Sequence, residues 1–143
     1  MDNGSPQAAL MVQRILAGIF IGLGGWALFF PTSVEQMVIR PEFRMNALTV
    51  AIFIGCFGAQ AILCGTVIWF SRFTARTFLI FGLVGSLPFF AFNYYFVFVQ
   101  PVFTHWMLLD FVGNTGILLC GLIGWQICRQ AALSKPAASL ADP

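Results

Sequence analysis

The chain has 143 residues, of which 59% are hydrophobic and only 8% charged, with a formal net charge of +2. A water-soluble domain carries roughly 25% charged residues, so this composition excludes a separate soluble globular domain. Seven Lys and Arg, scattered along the chain, also exclude a nucleic-acid interface.

Crossing about 30 Å of hydrocarbon takes about 20 apolar residues in a helix. Four stretches reach that length, 13–30, 46–70, 77–99 and 104–128, and predict an all-α integral membrane four-helix bundle. Residues 1–12 form a short N-terminal segment. They lack the basic region and cleavage site of a secretory signal, and neither chain end carries a lipidation motif, so the first span is read as retained.

The first span, "RILAGIFIGLGGWALFF", is closed by Pro31. Gly18 and Gly22 make a G-x-x-x-G step that Gly25 extends, a groove suited to close helix packing. Residues 31–45 read as an interfacial segment on the outer surface. In it Ser33 and Gln36 form a capping box, Val34, Met37 and Val38 share one side, and Pro41 ends the helix.

The second span, "NALTVAIFIGCFGAQAILCGTVIWF", presents Ala51, Gly55, Ala59 and Gly65 on a small face. Opposite lie Thr49, Cys56, Gln60 and Cys64. Gln60 falls near mid-membrane, where an unpaired amide is costly, so it calls for a partner on another helix or another subunit.

The third span has Pro88 at its centre, which predicts a kink. Gly82, Ser86, Phe89 and Asn93 share a face, and Ser86 is a candidate for polar pairing within the membrane. Tyr94 and Tyr95 sit among many phenylalanines in the outer half. The rings read either as an aromatic belt or as a groove for a flat lipophilic ring such as a quinone or pigment. No other cofactor is evident.

In the fourth span Asp110, Gly113, Asn114, Ile117, Cys120, Gly121, Gly124 and Cys128 form one small, polar stripe, which should face protein. Residues 129–143 read as a flexible Ala/Ser/Pro-rich tail. All four cysteines fall inside spans without a C-x-x-C pair, which points to small apolar roles.

"AILCGTVIWF" and "ILLCGLIGWQ" share L-C-G with a tryptophan four residues beyond. Two accounts stand side by side: a duplicated helical hairpin, or compositional bias. The N-terminal side of the bundle collects Arg14, Arg72, Arg76, Arg129 and Lys135. Arg40 and Arg44 on the other side are offset by Glu35 and Glu42. Lys and Arg accumulate in cytoplasmic loops, which places both termini in the cytoplasm.

Asp110 is the main chemical question. Counting from the "QPVFT" turn puts Asn93 and Asp110 at similar depth, and Asn114 shares the face of Asp110. Three roles are open. Asp110 can lock the outer ends of the spans by accepting from Asn93 or Asn114, with Arg40 or Arg44 as counter-ion. It can exchange a proton, since desolvation favours the neutral acid, with His105 as relay. It can face a partner subunit. No catalytic set is complete: one histidine disfavours a protein-only metal site, and no serine is spaced to meet it.

The first span "RILAGIFIGLGGWALFFP" and the opening of the second, "RMNALTVAIFIGCFGAQAIL", resemble those of DoxX-like small bacterial membrane proteins. The resemblance implies a four-helix inner-membrane protein with respiratory or quinone-linked association, and assigns no catalytic residue. Two functions follow as expectations. The first is an accessory, assembly or stabilising subunit of a larger membrane complex of respiratory, photosynthetic or quinone-linked type, with lipid and either a membrane-protein partner or a second copy around it. The second is a carrier or enzyme for a lipophilic molecule with an outer-leaflet pocket around Asp110. A pocket opening between the third and fourth spans near Asp110 would favour it, and a sealed bundle with Asp110 hydrogen-bonded internally would favour the first.

Overall fold

A computed structural model describes residues 4–134 of the chain. They form α1 (Gly4–Phe29), α2 (Pro31–Val38), α3 (Leu48–Phe70), α4 (Ala75–Val84), α5 (Leu87–Tyr94) and α6 (Leu108–Leu133). Four helical stretches, Gln7–Phe29, Leu48–Phe70, Ala75–Val99 and His105–Leu133, are long and apolar enough to cross a membrane. Two boundaries move. The first helix starts ahead of residue 13, and the fourth runs through 129–133, which the sequence assigned to the tail. Residues 1–3 and the rest of that tail, 135–143 with Lys135, lie outside the described residues. Large apolar side chains such as Phe53, Leu63, Phe70 and Val112 point outward, as hydrocarbon solvent permits.

α3 packs on α1, α1 on α6, and α6 on α4. Because lipid is as apolar as a core, these interfaces rest on close backbone approach rather than on hydrophobic drive. Gly24 of α1 meets Gly58 of α3: a Cβ built on Gly58 would lie 2.5 Å from the Leu28 nitrogen and 2.6 Å from the Gly24 oxygen. Lower on the same interface, a Cβ on Gly65 would lie 2.8 Å from the Ala17 oxygen. In the second hairpin Gly121 faces Gly82 across 2.5 Å measured the same way, and Gly124 seats the Phe78 ring. Gly65 and Gly121 are the glycines of the two L-C-G stretches, and each makes the close approach in its own hairpin. The tryptophans that follow are matched too, with Arg14 over Trp69 at 5.2 Å and Arg129 over Trp125 at 5.4 Å.

The expected G-x-x-x-G groove is corrected. Gly18, Gly22 and Gly25 have no heavy atom within 4 Å of a built Cβ, and Gly55 makes only ordinary contact with Leu28 at 4.0 Å. The helix turns a different glycine, Gly24, toward its partner.

Pro88 breaks the third span rather than bending it. α4 ends at Val84, and α5 begins at Leu87 with proline in its first turn, where no N–H is needed. Ser86, fully buried, donates its hydroxyl proton to the Gly82 carbonyl and so satisfies a group left free by the break. Beyond α5 the backbone widens into a π-turn over Tyr95–Val99, closed by Gln100 N–H donating to the Tyr95 oxygen at 2.8 Å. That widening resets which side chains face inward.

The expected cap on α2 is also corrected. Phe30 is the cap residue, without a side-chain bond, because Pro31 supplies a preformed first helical position. Ser33 therefore lies inside the helix, with Oγ 3.9 Å from the Met37 sulfur. The segment after α2 is clamped to the loop before α6. Arg40 N–H donates to the Val102 oxygen at 3.0 Å, Thr104 N–H to the Val38 oxygen at 2.7 Å, and Ile39 and Phe103 form an antiparallel bridge.

At the other end of the bundle Gln13, only 3% exposed, ties α1 to the α3–α4 turn. Its Nε2 donates to the Ile68 and Ser71 oxygens at 2.5 and 2.7 Å, and its Oε1 accepts from Phe73 N–H at 3.1 Å. Gln13→Leu is expected to orphan these groups and cost roughly 3 kcal/mol. Thermal unfolding of the detergent-solubilised variant at the wild-type midpoint would refute this role.

Candidate functional site

A cavity of about 530 Å³ lies at the α2 end of the bundle, enclosed by α1, α2, α3, α5 and the start of α6. That is within the usual ~300–1,000 Å³ of small-molecule sites. Its walls are aromatic: Trp26 from α1, Phe53 and Phe57 from α3, Phe89 and Phe92 from α5, and Phe103 and Trp106 from the loop between. Several of these rings, Phe53 and Phe57 above all, are also exposed on the outside. α3 and α5, whose rings both line the cavity, share no extended interface.

Two carboxylates line this apolar space, Asp110 and Glu35. Asp110 occupies the first turn of α6, because a short 3-10 turn (His105–Met107) delays the start of the helix. Free N–H groups and the positive end of the helix dipole favour a negative charge there. Asn93 and Asn114 both donate Nδ2 protons to Asp110 Oδ2, at 2.9 and 2.7 Å. The locking geometry expected from the sequence is therefore present, with both amides used at once. Asn93 is 1% exposed and Asn114 5%, and the buried Asn93 Oδ1 has no partner.

The expected counter-ions are not beside Asp110. Arg40 Nε donates to the Phe103 oxygen at 3.1 Å, while Arg44 donates to the Ile39 and Gln36 oxygens at 2.8 and 2.5 Å. Both guanidinium groups hold the α2 segment in place, and neither lines the cavity.

Glu35 is the residue that sequence reading missed, having counted it as a loop charge. It is 2% exposed. Its Oε1 accepts from Met45 and Asn46 N–H, both at 3.0 Å, in the turn where Asn46 takes a left-handed φ of 48°. The signal was its place between Val34 and Val38, which share its helix face and also line the cavity.

His105, Tyr94 and Tyr95 do not join the site. His105 is exposed on the turn, and the tyrosines are 62% and 45% exposed, stacked against Phe98 and Phe96. Gln60 is exposed on α3 and finds no partner in the chain among the described residues. Cys56 and Cys64 are exposed as well, Cys120 is buried, and all four thiols are free. Among the described residues no three His, Cys, Asp or Glu side chains converge as a metal site would require. A shallower groove of about 380 Å³ at the opposite end runs along Leu10, Met11, Arg14 and Trp69.

Fold and cavity together define an all-helical bundle of membrane-crossing length with an acid-lined, aromatic chamber near one end. Compared with known protein families, characterised proteins and solved structures, the chain matches none.

Proposed function

We propose that this chain is a membrane-embedded carrier for a lipophilic small molecule, which it holds in the chamber beside Asp110. The observation that carries this reading is the 530 Å³ aromatic cavity lined by Glu35 and Asp110, at a place where α3 and α5 share no extended interface. A space of this size walled by rings, with a few convergent polar groups, has the make-up of a small-molecule site rather than of a bare helix-packing seam. The basic residues Arg14, Arg72, Arg76 and Arg129 gather at the far end. This supports cytoplasmic termini and a chamber in the outer half of a bacterial inner membrane.

Ile54 lines the chamber from α3, and Ile54→Trp should fill it without touching either carboxylate. Gently extracted wild-type protein is expected to carry a retained lipophilic molecule in native mass spectrometry, and the variant to lose it. Identical spectra from the two proteins would overturn the carrier reading.

A second reading, an accessory subunit of a larger membrane complex of respiratory or quinone-linked type, is favoured by one observation: the exposed Gln60 amide has no partner among the described residues. Such a group calls for one from outside. Migration of the native protein within a large assembly, identified by mass spectrometry and absorption spectrum, supports this role, and migration as a small colourless species removes it.

A further inference from the structure

We infer that the ligand is a lipophilic cation, an amine or other onium group on a hydrocarbon or aromatic body, seated between Glu35 and Asp110. The inference rests on the carrier reading and adds the chemical class. Of the residues lining the chamber, the two ionisable ones are both acids, and no Lys, Arg or His joins them. Each acid keeps capacity to spare. Glu35 is held by backbone N–H groups through Oε1 alone, and both amide donors to Asp110 converge on Oδ2. Oε2 of Glu35 and Oδ1 of Asp110 take no hydrogen bond among the described residues.

Glu35 is also 2% exposed on an apolar helix face, where an unpaired carboxylate is expensive unless something positive visits it. The surrounding rings, Trp26, Phe53, Phe57 and Trp106 among them, offer negative π faces that attract a cation and an apolar surface for its body. A neutral carbonyl compound would instead set its oxygen against two acceptors. An anion would meet two like charges. The geometry selects for positive charge on a greasy frame, and the lack of an extended α3–α5 interface leaves a route from the bilayer.

The test uses the purified full chain in mild detergent and equilibrium dialysis against two probes, tetraphenylphosphonium as the cation and triphenylphosphine oxide as the neutral comparison. The expected result is saturable retention of the cation at one per chain, with the neutral probe about tenfold weaker or more. Glu35→Gln and Asp110→Asn are each expected to weaken the cation about tenfold and leave the neutral probe unchanged. Equal or stronger saturable retention of the neutral probe overturns the cation assignment while leaving the chamber a binding site. Retention of neither by well-folded protein removes the carrier reading as well. Cation retention unaffected by both substitutions also overturns the assignment. Should a charge variant not fold, the ratio of the two probes on wild type, with Ile54→Trp as the filled-chamber control, decides the matter.

Discussion

Gly58→Leu is expected to leave no assembled bundle. Even the first carbon of a side chain at this position would sit 2.5 Å from one backbone atom of α1 and 2.6 Å from another. Backbone cannot rotate away as a side chain can, so α1 and α3 must separate along their whole interface. Overpacking costs about 1–3 kcal/mol where side chains can yield. Here the loss should exceed about 4 kcal/mol, a large part of a typical stability. Gly18→Leu and Gly22→Leu are the controls. Both positions face open space, and both variants should unfold in detergent within about 0.5 kcal/mol of wild type. A Gly58→Leu protein that melts like them would show that the helices do not meet where the structure places them.

The second large effect concerns the polar knot at the α2 end. Asp110→Leu removes the acceptor for two buried amide donors, Asn93 and Asn114. Leaving a buried donor unpaired costs about 1–3 kcal/mol, so the variant should lose roughly 3 kcal/mol, read from the unfolding midpoint in detergent. Combining it with Asn93→Leu and Asn114→Leu should restore more than half of that loss, because replacing all partners together leaves nothing unsatisfied. If the triple variant is less stable than Asp110→Leu alone, the cost lies in shape and not in hydrogen bonding.

Sequence and structure agree where a strong local signal exists. The four spans follow from hydropathy, and the Asn93–Asp110–Asn114 cluster follows from hairpin depth and i,i+4 spacing. Glycine spacing did not reveal which glycine faces inward. In a membrane helix both faces are apolar, so Gly18–Gly22 and Gly24 look alike until a partner is in place. Tyr94, Tyr95 and His105 do not line the cavity: the tyrosines are exposed, as the belt alternative has them, and His105 stays on the outer turn. Glu35 was hidden by its setting in a short segment rich in polar residues, although the residues three and four places on, Val38 and Ile39, are apolar. Gln13 was read as the edge of a span, whereas its three hydrogen bonds reach residues 55 to 60 positions away in the chain, a link no local pattern carries.

On the carrier reading proposed above, the weak contact between α3 and α5 would set the reservoir from which the chamber fills. A molecule arriving sideways through hydrocarbon is already concentrated there by its own partitioning, about fourfold for each CH₂ at ~0.8 kcal/mol. The aromatic walls then gain little from the apolar body, which leaves one oily phase for another. Occupancy is decided by the headgroup, whose charge the bilayer tolerates poorly and the two acids accept. A chamber of this kind would discriminate by charge among molecules the membrane has already sorted by greasiness.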